Sequence, residues 1–362
     1  MSETETVGIV ALLGSGETSP AGRRVLEKLL RSLPEPRTIA VLDTPAGFQP
    51  NRERVAGKVA EFISERLAQW QPQPRVVATR RATLGTPVAE AAQRVISSAH
   101  CIVAGPGSPT YMIDELRDTP YLAAMARAHQ AGAVLYISSA ATIALSAFSI
   151  PVYEIFKVGA EPYWNAGLDF FAPYGMRLAL VPHWNNSEGG AEVDTRFCYL
   201  GEERFERLRA QLPADVVILG IDEHTACLLD FARGTVMVDG KGGAIVIHGA
   251  QRQVFANGDQ FPLALLRSDA SALPAIPHPS APVAAPPAAE IDPPLIPLAW
   301  EGPPTASPPL PSDLIETLLA IRADLRVAKQ WPFADRVRAA LTDAGVTIED
   351  TPTGARWHMN ET

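Results

Sequence analysis

The chain has 362 residues, 47% apolar and 20% charged, with a net charge of −9. That is enough chain for one large domain with an appendage or for two domains, and the acidic balance excludes a general attraction to nucleic acid or an anionic membrane. No apolar run is long enough to span a bilayer, and the acidic start Met1-Ser2-Glu3 lacks the basic flank and long apolar core of a signal peptide, so a cytoplasmic protein is expected.

In chain order, residues 7–13 read as a buried strand ending in Gly14-Ser15-Gly16-Glu17, and 21–33 has helical spacing. Residues 38–43 form the next strand, before the turn formers Thr44-Pro45-Ala46-Gly47; 52–69 reads as helix and 75–79 as a short strand. A helix at 89–99 and a strand at 101–104 lead into Gly105-Pro106-Gly107-Ser108-Pro109, and a helix at 110–130 precedes a strand at 133–137. That strand stops at Ser138-Ser139 and runs at once into the helix formers Ala140-Ala141-Thr142-Ile143-Ala144. A strand turning sharply into a helix with Ser at the turn is the layout of a nucleophile elbow. It is also the layout of an ordinary junction with buried serines, and the local sequence leaves both open.

The aromatic residues Tyr163, Trp164, Phe170, Phe171 and Tyr174 read as packing for a covering loop. A strand at 178–181 runs into Pro182-His183-Trp184-Asn185-Asn186, and a helix follows at 204–212. A strand at 215–219 ends in Gly220-Ile221-Asp222-Glu223-His224-Thr225-Ala226, and 226–256 reads as an antiparallel edge with no chemistry of its own. Strands alternating with helices predict an α/β fold, a mostly parallel sheet with helices on both faces. Ligands of such sheets bind where loops leave the carboxyl ends of the strands, which is where the glycine loops and Ser138-Ser139 fall. In the 105–109 turn Pro106 and Pro109 have no N–H, which leaves Gly107 and Ser108 as donors. No cofactor or metal is indicated. Gly14-Ser15-Gly16 lacks the third glycine of a dinucleotide fingerprint, and Cys101, Cys198 and Cys227 lie far apart without metal-ligand spacing.

Ser139 is followed 44 residues on by His183 and a further 40 residues on by Glu223, each at a strand end. Together with Gly14-Ser15-Gly16-Glu17, Gly105-Pro106-Gly107 and the run from Gly220 to Ala226, this order resembles the Ser-His-Glu hydrolases of the cyanophycinase and aspartyl dipeptidase family. The resemblance covers residues 7–250 and implies a class I glutamine amidotransferase-like fold. It implies Ser139 as nucleophile, His183 as base, and Glu223 or else Asp222 as the carboxylate that holds the imidazole. Backbone N–H groups of Ala140 and of the loop holding Gly105 and Gly107 would form the oxyanion hole. The implied substrate is a small peptide or amide, and a homodimer is compatible with the resemblance. Asn185, Asn186 and Arg196 follow His183 and read either as substrate contacts, with Asn185 taken into the site, or as solvated loop residues.

The family's elbow has glycine on both sides of the serine, where this chain has Ile137 and Ala141. Crowding there is expected to cost about 1–3 kcal/mol and to push Ser139 out of line. The alternative reading is therefore a catalytically degenerate binding or regulatory protein that keeps the fold and uses its tail for a partner.

Composition changes after Ser268, with fourteen prolines between Pro274 and Pro311. Residues 268–311 read as a Pro/Ala-rich linker between a hydrolase-like domain at 1–267 and a small helical module at 312–362. In that module Ser312 or Asp313 caps a helix running to 330, a second helix spans 333–344 before Gly345, and a short tail follows at 346–357. Leu319-Ala320-Ile321-Arg322, the run from Lys329 to Asp335, and Glu349-Asp350-Thr351-Pro352-Thr353-Gly354-Ala355-Arg356-Trp357 resemble the extreme C-terminus of cysteinyl-tRNA synthetases. No aminoacylation core accompanies them. From Ser312 onward six Lys/Arg stand against eight Asp/Glu, a poor balance for binding phosphates, so nucleic acid is not the expected partner.

Overall fold

The computed structural model describes residues 7–268, 312–327, 337–338, 341–342, 346–351 and 354–359. The chain divides into two compact units, Met1–His278 and Pro279–Thr362.

The first unit is organised on β1 (Val10–Leu13), which is apolar and buried throughout. Its pleat sends Val10 and Leu12 into one core cluster and Ala11 and Leu13 into another, as a central strand covered on both faces requires. After it come α1 (Pro20–Arg31), β2 (Arg37–Leu42), α2 (Arg52–Arg66), β3 (Pro72–Val77), α3 (Pro87–Ser97), β4 (Cys101–Ala104), α4 (Pro109–Leu116), α5 (Pro120–Gln130) and β5 (Val134–Ser138). The single helix expected over 110–130 is two helices. Pro120 cannot continue a helix, and Asp118 just before it takes a left-handed φ of 57°.

The chain continues through α6 (Ala140–Ala144), β6 (Phe148–Ser149), α7 (Val152–Phe156), β7 (Asn165–Ala166), β8 (Leu178–Val181), α8 (Arg196–Tyr199), α9 (Gly201–Arg209) and β9 (Val217–Ile221). It ends with β10 (Thr225–Asp230), β11 (Thr235–Gly240), β12 (Ala244–His248), β13 (Gln251–Phe255) and β14 (Gln260–Pro262). An eight-stranded sheet has the order β14-β11-β10-β1-β5-β4-β2-β3, in which β1, β5, β4, β2 and β3 run parallel. A second sheet has the order β13-β12-β9-β8, with β8 and β9 parallel.

The fold is therefore α/β, but its strands are shared between two sheets. The stretch 226–256 is not a single edge: β10 and β11 extend the large sheet beside β1, while β12 and β13 complete the second. Leu26, Leu30 and Ile63 of α1 and α2 cover one face of the large sheet. Ile96 and Ala124 of α3 and α5 share the other core with Leu178, Leu180 and Leu219 of the second sheet. Phe171 and Tyr174, among the aromatics expected to pack, belong to that core as well. Ile143, Phe205 and Leu208 cover the far face of the second sheet.

In the second unit α10 (Ser312–Val327) is joined by a hairpin of β15 (Val346–Thr351) and β16 (Gly354–Met359). The module is thus not wholly helical. Val346 and Ile348 alternate inward along β15 and join Ile315, Leu319 and Leu341 in a small core, and Trp357 Nε1 donates to Glu316 Oε1 at 2.7 Å. Of the expected helix at 333–344, residues 337–338 and 341–342 are helical and the rest lies outside the described residues. The expected linker at 268–311 lies outside them apart from Ser268. No helix among the described residues is long and apolar enough to cross a membrane.

Candidate active site

The turn between β5 and α6 is sharp, and its strain falls on Ser139 itself, at φ 54° and ψ −118°. Ile137 stays in the strand and Ala141 in the helix, and both are fully buried. The crowding expected from the missing glycines therefore does not displace the hydroxyl. The backbone N–H of Ser139 donates to Leu13 O at 3.2 Å, and the Thr142 hydroxyl is shared between Leu13 O and Ile137 O, each at 3.1 Å. Ser138 points the other way, as the strand's alternation dictates; it is fully buried and donates to Glu17 Oε2 at 2.8 Å.

Ser139 Oγ lies 2.9 Å from His183 Nε2, and His183 Nδ1 lies 2.9 Å from Glu223 Oε1. A carboxylate only accepts, so Nδ1 carries the proton and the Nε2 lone pair receives the Ser139 O–H. The bond from His183, then that from Asn186 Nδ2 at 2.8 Å, hold the Glu223 carboxyl below its usual range against the opposing effect of burial. Asp222, the other carboxylate considered for this place, instead accepts from the Gly243 N–H at 2.7 Å, and burial raises its pKa.

The two asparagines hold Glu223 from both ends. Asn186 is 1% exposed and bonds its carboxylate, while Asn185 Oδ1 accepts from its backbone N–H at 2.8 Å. Neither a solvated loop nor a substrate contact describes Asn186, and the nearest signal in the sequence is an amide two and three residues after a strand-end histidine. Arg196 pairs with Asp194 and Glu202 at the surface.

The end of β1, a weak motif in the sequence, bonds to all three segments. Leu13 O receives the Ser139 N–H, Gly14 O receives the His183 N–H at 3.2 Å, and Ser15 Oγ receives the N–H of His224, next to Glu223, at 3.1 Å. Gly14 N–H closes the ring on Thr225 O at 2.9 Å. A Cβ on Gly14 would collide with the Asp222 and Ile221 carbonyls, which is why this position has no side chain.

Ser139 and His183 open onto a cavity of about 600 Å³, with Gly107 and Ala140 on its wall. Gly107 has φ 152°, and a Cβ there would collide with Pro45 O. Of the two donors expected in this turn, the Ser108 N–H is taken by Pro45 O at 2.8 Å and its hydroxyl caps α4. Among the described residues the N–H groups of Gly107 and Ala140 donate to no protein acceptor. Gly105 is buried beside Asp43 and Ala46, outside this wall.

Tyr199 and Glu188 also line the cavity, with the Tyr199 ring 5.5 Å from that of His183. Phe197, Cys198 and Tyr199 in succession are left-handed, at φ 56°, 59° and 66°. That conformation costs on the order of 1–2 kcal/mol per residue, and it lets the Cys198 N–H reach His183 O at 3.2 Å. Cys198 also lines the cavity, and burial pushes its thiol pKa far up, which keeps it a thiol rather than a thiolate. No cluster of three or more His, Cys, Asp or Glu side chains among the described residues is placed to hold a metal.

No family model matches the chain. The fold is similar to that of a peptidase from an acI-B1 Actinobacterium, with a TM-score of 0.56 at 19% identity over 71% of this chain and 98% of that one. The likeness is one of fold. A 52-residue stretch, 14% of this chain, is 44% identical to 11% of a cysteine–tRNA ligase from Cutibacterium acnes. A 44-residue stretch is 52% identical to 9% of the ligase from Heliobacterium modesticaldum. The chain thus spans about one tenth of the length of the curated relatives it matches, and the likeness supports the resemblance of the C-terminal module to a segment of those ligases.

Proposed function

We propose that the chain is a cytoplasmic serine hydrolase of the cyanophycinase and aspartyl dipeptidase type, acting on a small peptide or amide. The observation that carries this is the continuous hydrogen-bonded line Ser139–His183–Glu223 at the wall of a cavity. His183 Nε2 takes the Ser139 proton as Oγ attacks the carbonyl carbon, and Glu223 holds the ring in that tautomer and offsets the imidazolium charge. The oxyanion is received by the N–H groups of Gly107 and Ala140. Nε2 then gives its proton to the leaving amine, and water cleaves the acyl-enzyme by the same relay. Domains at 1–267 and 312–362 joined by a linker at 268–311 remain part of this proposal.

The test is turnover of a panel of dipeptides and amides by the full chain and by Ser139→Ala. Turnover by the wild type that the variant lacks is the expected result; equal turnover by both contradicts the proposal.

A further inference from the structure

The cavity wall beside Ser139 carries Ile143, Val152, Tyr153, Phe156 and Val193. Its charged side chains are Lys157 and Glu188, and no arginine is among them. Tyr153 and Val193 are 36% and 52% exposed, and Phe48, 45% exposed, stands edge-on to Tyr153 with 6.3 Å between ring centroids. An exposed apolar rim continuous with an apolar wall marks where a ligand's own apolar surface is covered. Glu188 is exposed and accepts from the Tyr199 hydroxyl at 3.1 Å, and no cationic side chain pairs with it among the described residues. Lys157 already lies over the Phe156 ring, 5.0 Å from its centroid. A carboxylate laid along Val152 and Phe156 would exchange its water for apolar surface, with the cation of that stretch, Lys157, already held over the Phe156 ring, which penalises it.

We infer that the site takes short peptides or amides whose acyl residue has a free α-ammonium group and a large apolar side chain. This rests on the hydrolase reading and specifies its substrate. The ammonium faces Glu188, the apolar side chain lies along Val152 and Phe156, and the carbonyl carbon meets Ser139.

The experiment measures calorimetric binding of Phe-Leu, N-acetyl-Phe-Leu and Asp-Leu to full-length Ser139→Ala, beside hydrolysis of the same three by the wild type. Phe-Leu is expected to bind at least about tenfold tighter than either of the others, and Glu188→Gln in the same background to remove the preference for the free amine. Equal or tighter binding of Asp-Leu, indifference to acetylation, or no binding of any of the three overturns the inference. Tight Phe-Leu binding without hydrolysis by the wild type upholds this substrate class and contradicts the hydrolase reading. Faster hydrolysis of Asp-Leu does the reverse.

Discussion

A histidine is fastened at each end of β1, and the two differ by their partners. Before its amino end, Gly8 and His129 exchange bonds: Gly8 N–H donates to His129 O at 2.9 Å and His129 Nε2–H donates to Gly8 O at 2.8 Å. The remaining nitrogen, Nδ1, accepts from the Tyr174 hydroxyl at 2.9 Å. Past its carboxyl end, Gly14 O holds the backbone of His183, whose ring lies between a hydroxyl and a carboxylate. His129 is fully buried in a helix, and burial lowers its pKa to about 4. His183 sits in a left-handed turn at φ 53° on the wall of a cavity. A neutral carbonyl and phenol make one imidazole a strut. The other, between a hydroxyl and a carboxylate, is the one that moves a proton in the proposed mechanism.

Substitutions at the two ends should therefore separate chemistry from stability. The largest effect is expected from Ser139→Ala and His183→Ala, each lowering kcat by about 10⁶-fold, whereas His129→Gln leaves kcat near wild type. Glu223→Gln should cost about 10⁴-fold, since an amide can hold the ring in the wrong tautomer. Asn186→Ala removes a bond to the Glu223 carboxylate, for which about 10–100-fold in kcat/KM is expected. Because that bond holds the carboxyl pKa down, its loss should also raise the Glu223 pKa, read by titration of the folded variant.

The smallest effect, at the other end of β1, is on stability alone. His129 titrates near 6.5 when unfolded and near 4 when folded, so between those values the unfolded chain binds more protons and stability falls as pH falls. About 3 kcal/mol should disappear over that window, seen as a steeper decline in denaturant midpoint for the wild type than for His129→Gln.

Much of this site was legible in the sequence. Three reactive residue types at strand ends are visible as apolar runs that stop at Ser139, His183 and Glu223, because a strand between covered faces must be apolar and its end need not be. What escaped was set by tertiary contact. Asn186 looks like any loop amide until β8 and β9 pair and bring Glu223 onto it. Gly14-Ser15-Gly16 is only a weak motif until the Asp222 carbonyl is packed against Gly14. Ile137 and Ala141 looked obstructive because the elbow's strain was assigned to the flanking positions, and it rests on Ser139. The split into two sheets was hidden because β8 and β9, a parallel pair, have the same apolar pattern as strands of the large sheet. In the C-terminal unit the alternation of Val346 and Ile348 was the available sign of a hairpin.

The most direct test of the central claim, that His183 activates Ser139, is labelling of the full chain with a fluorophosphonate followed by peptide mapping. One adduct is predicted, on Ser139, present in the wild type and lost in His183→Ala. An adduct on Ser138, equal labelling of the His183→Ala variant, or no labelling of the folded wild type would contradict the account.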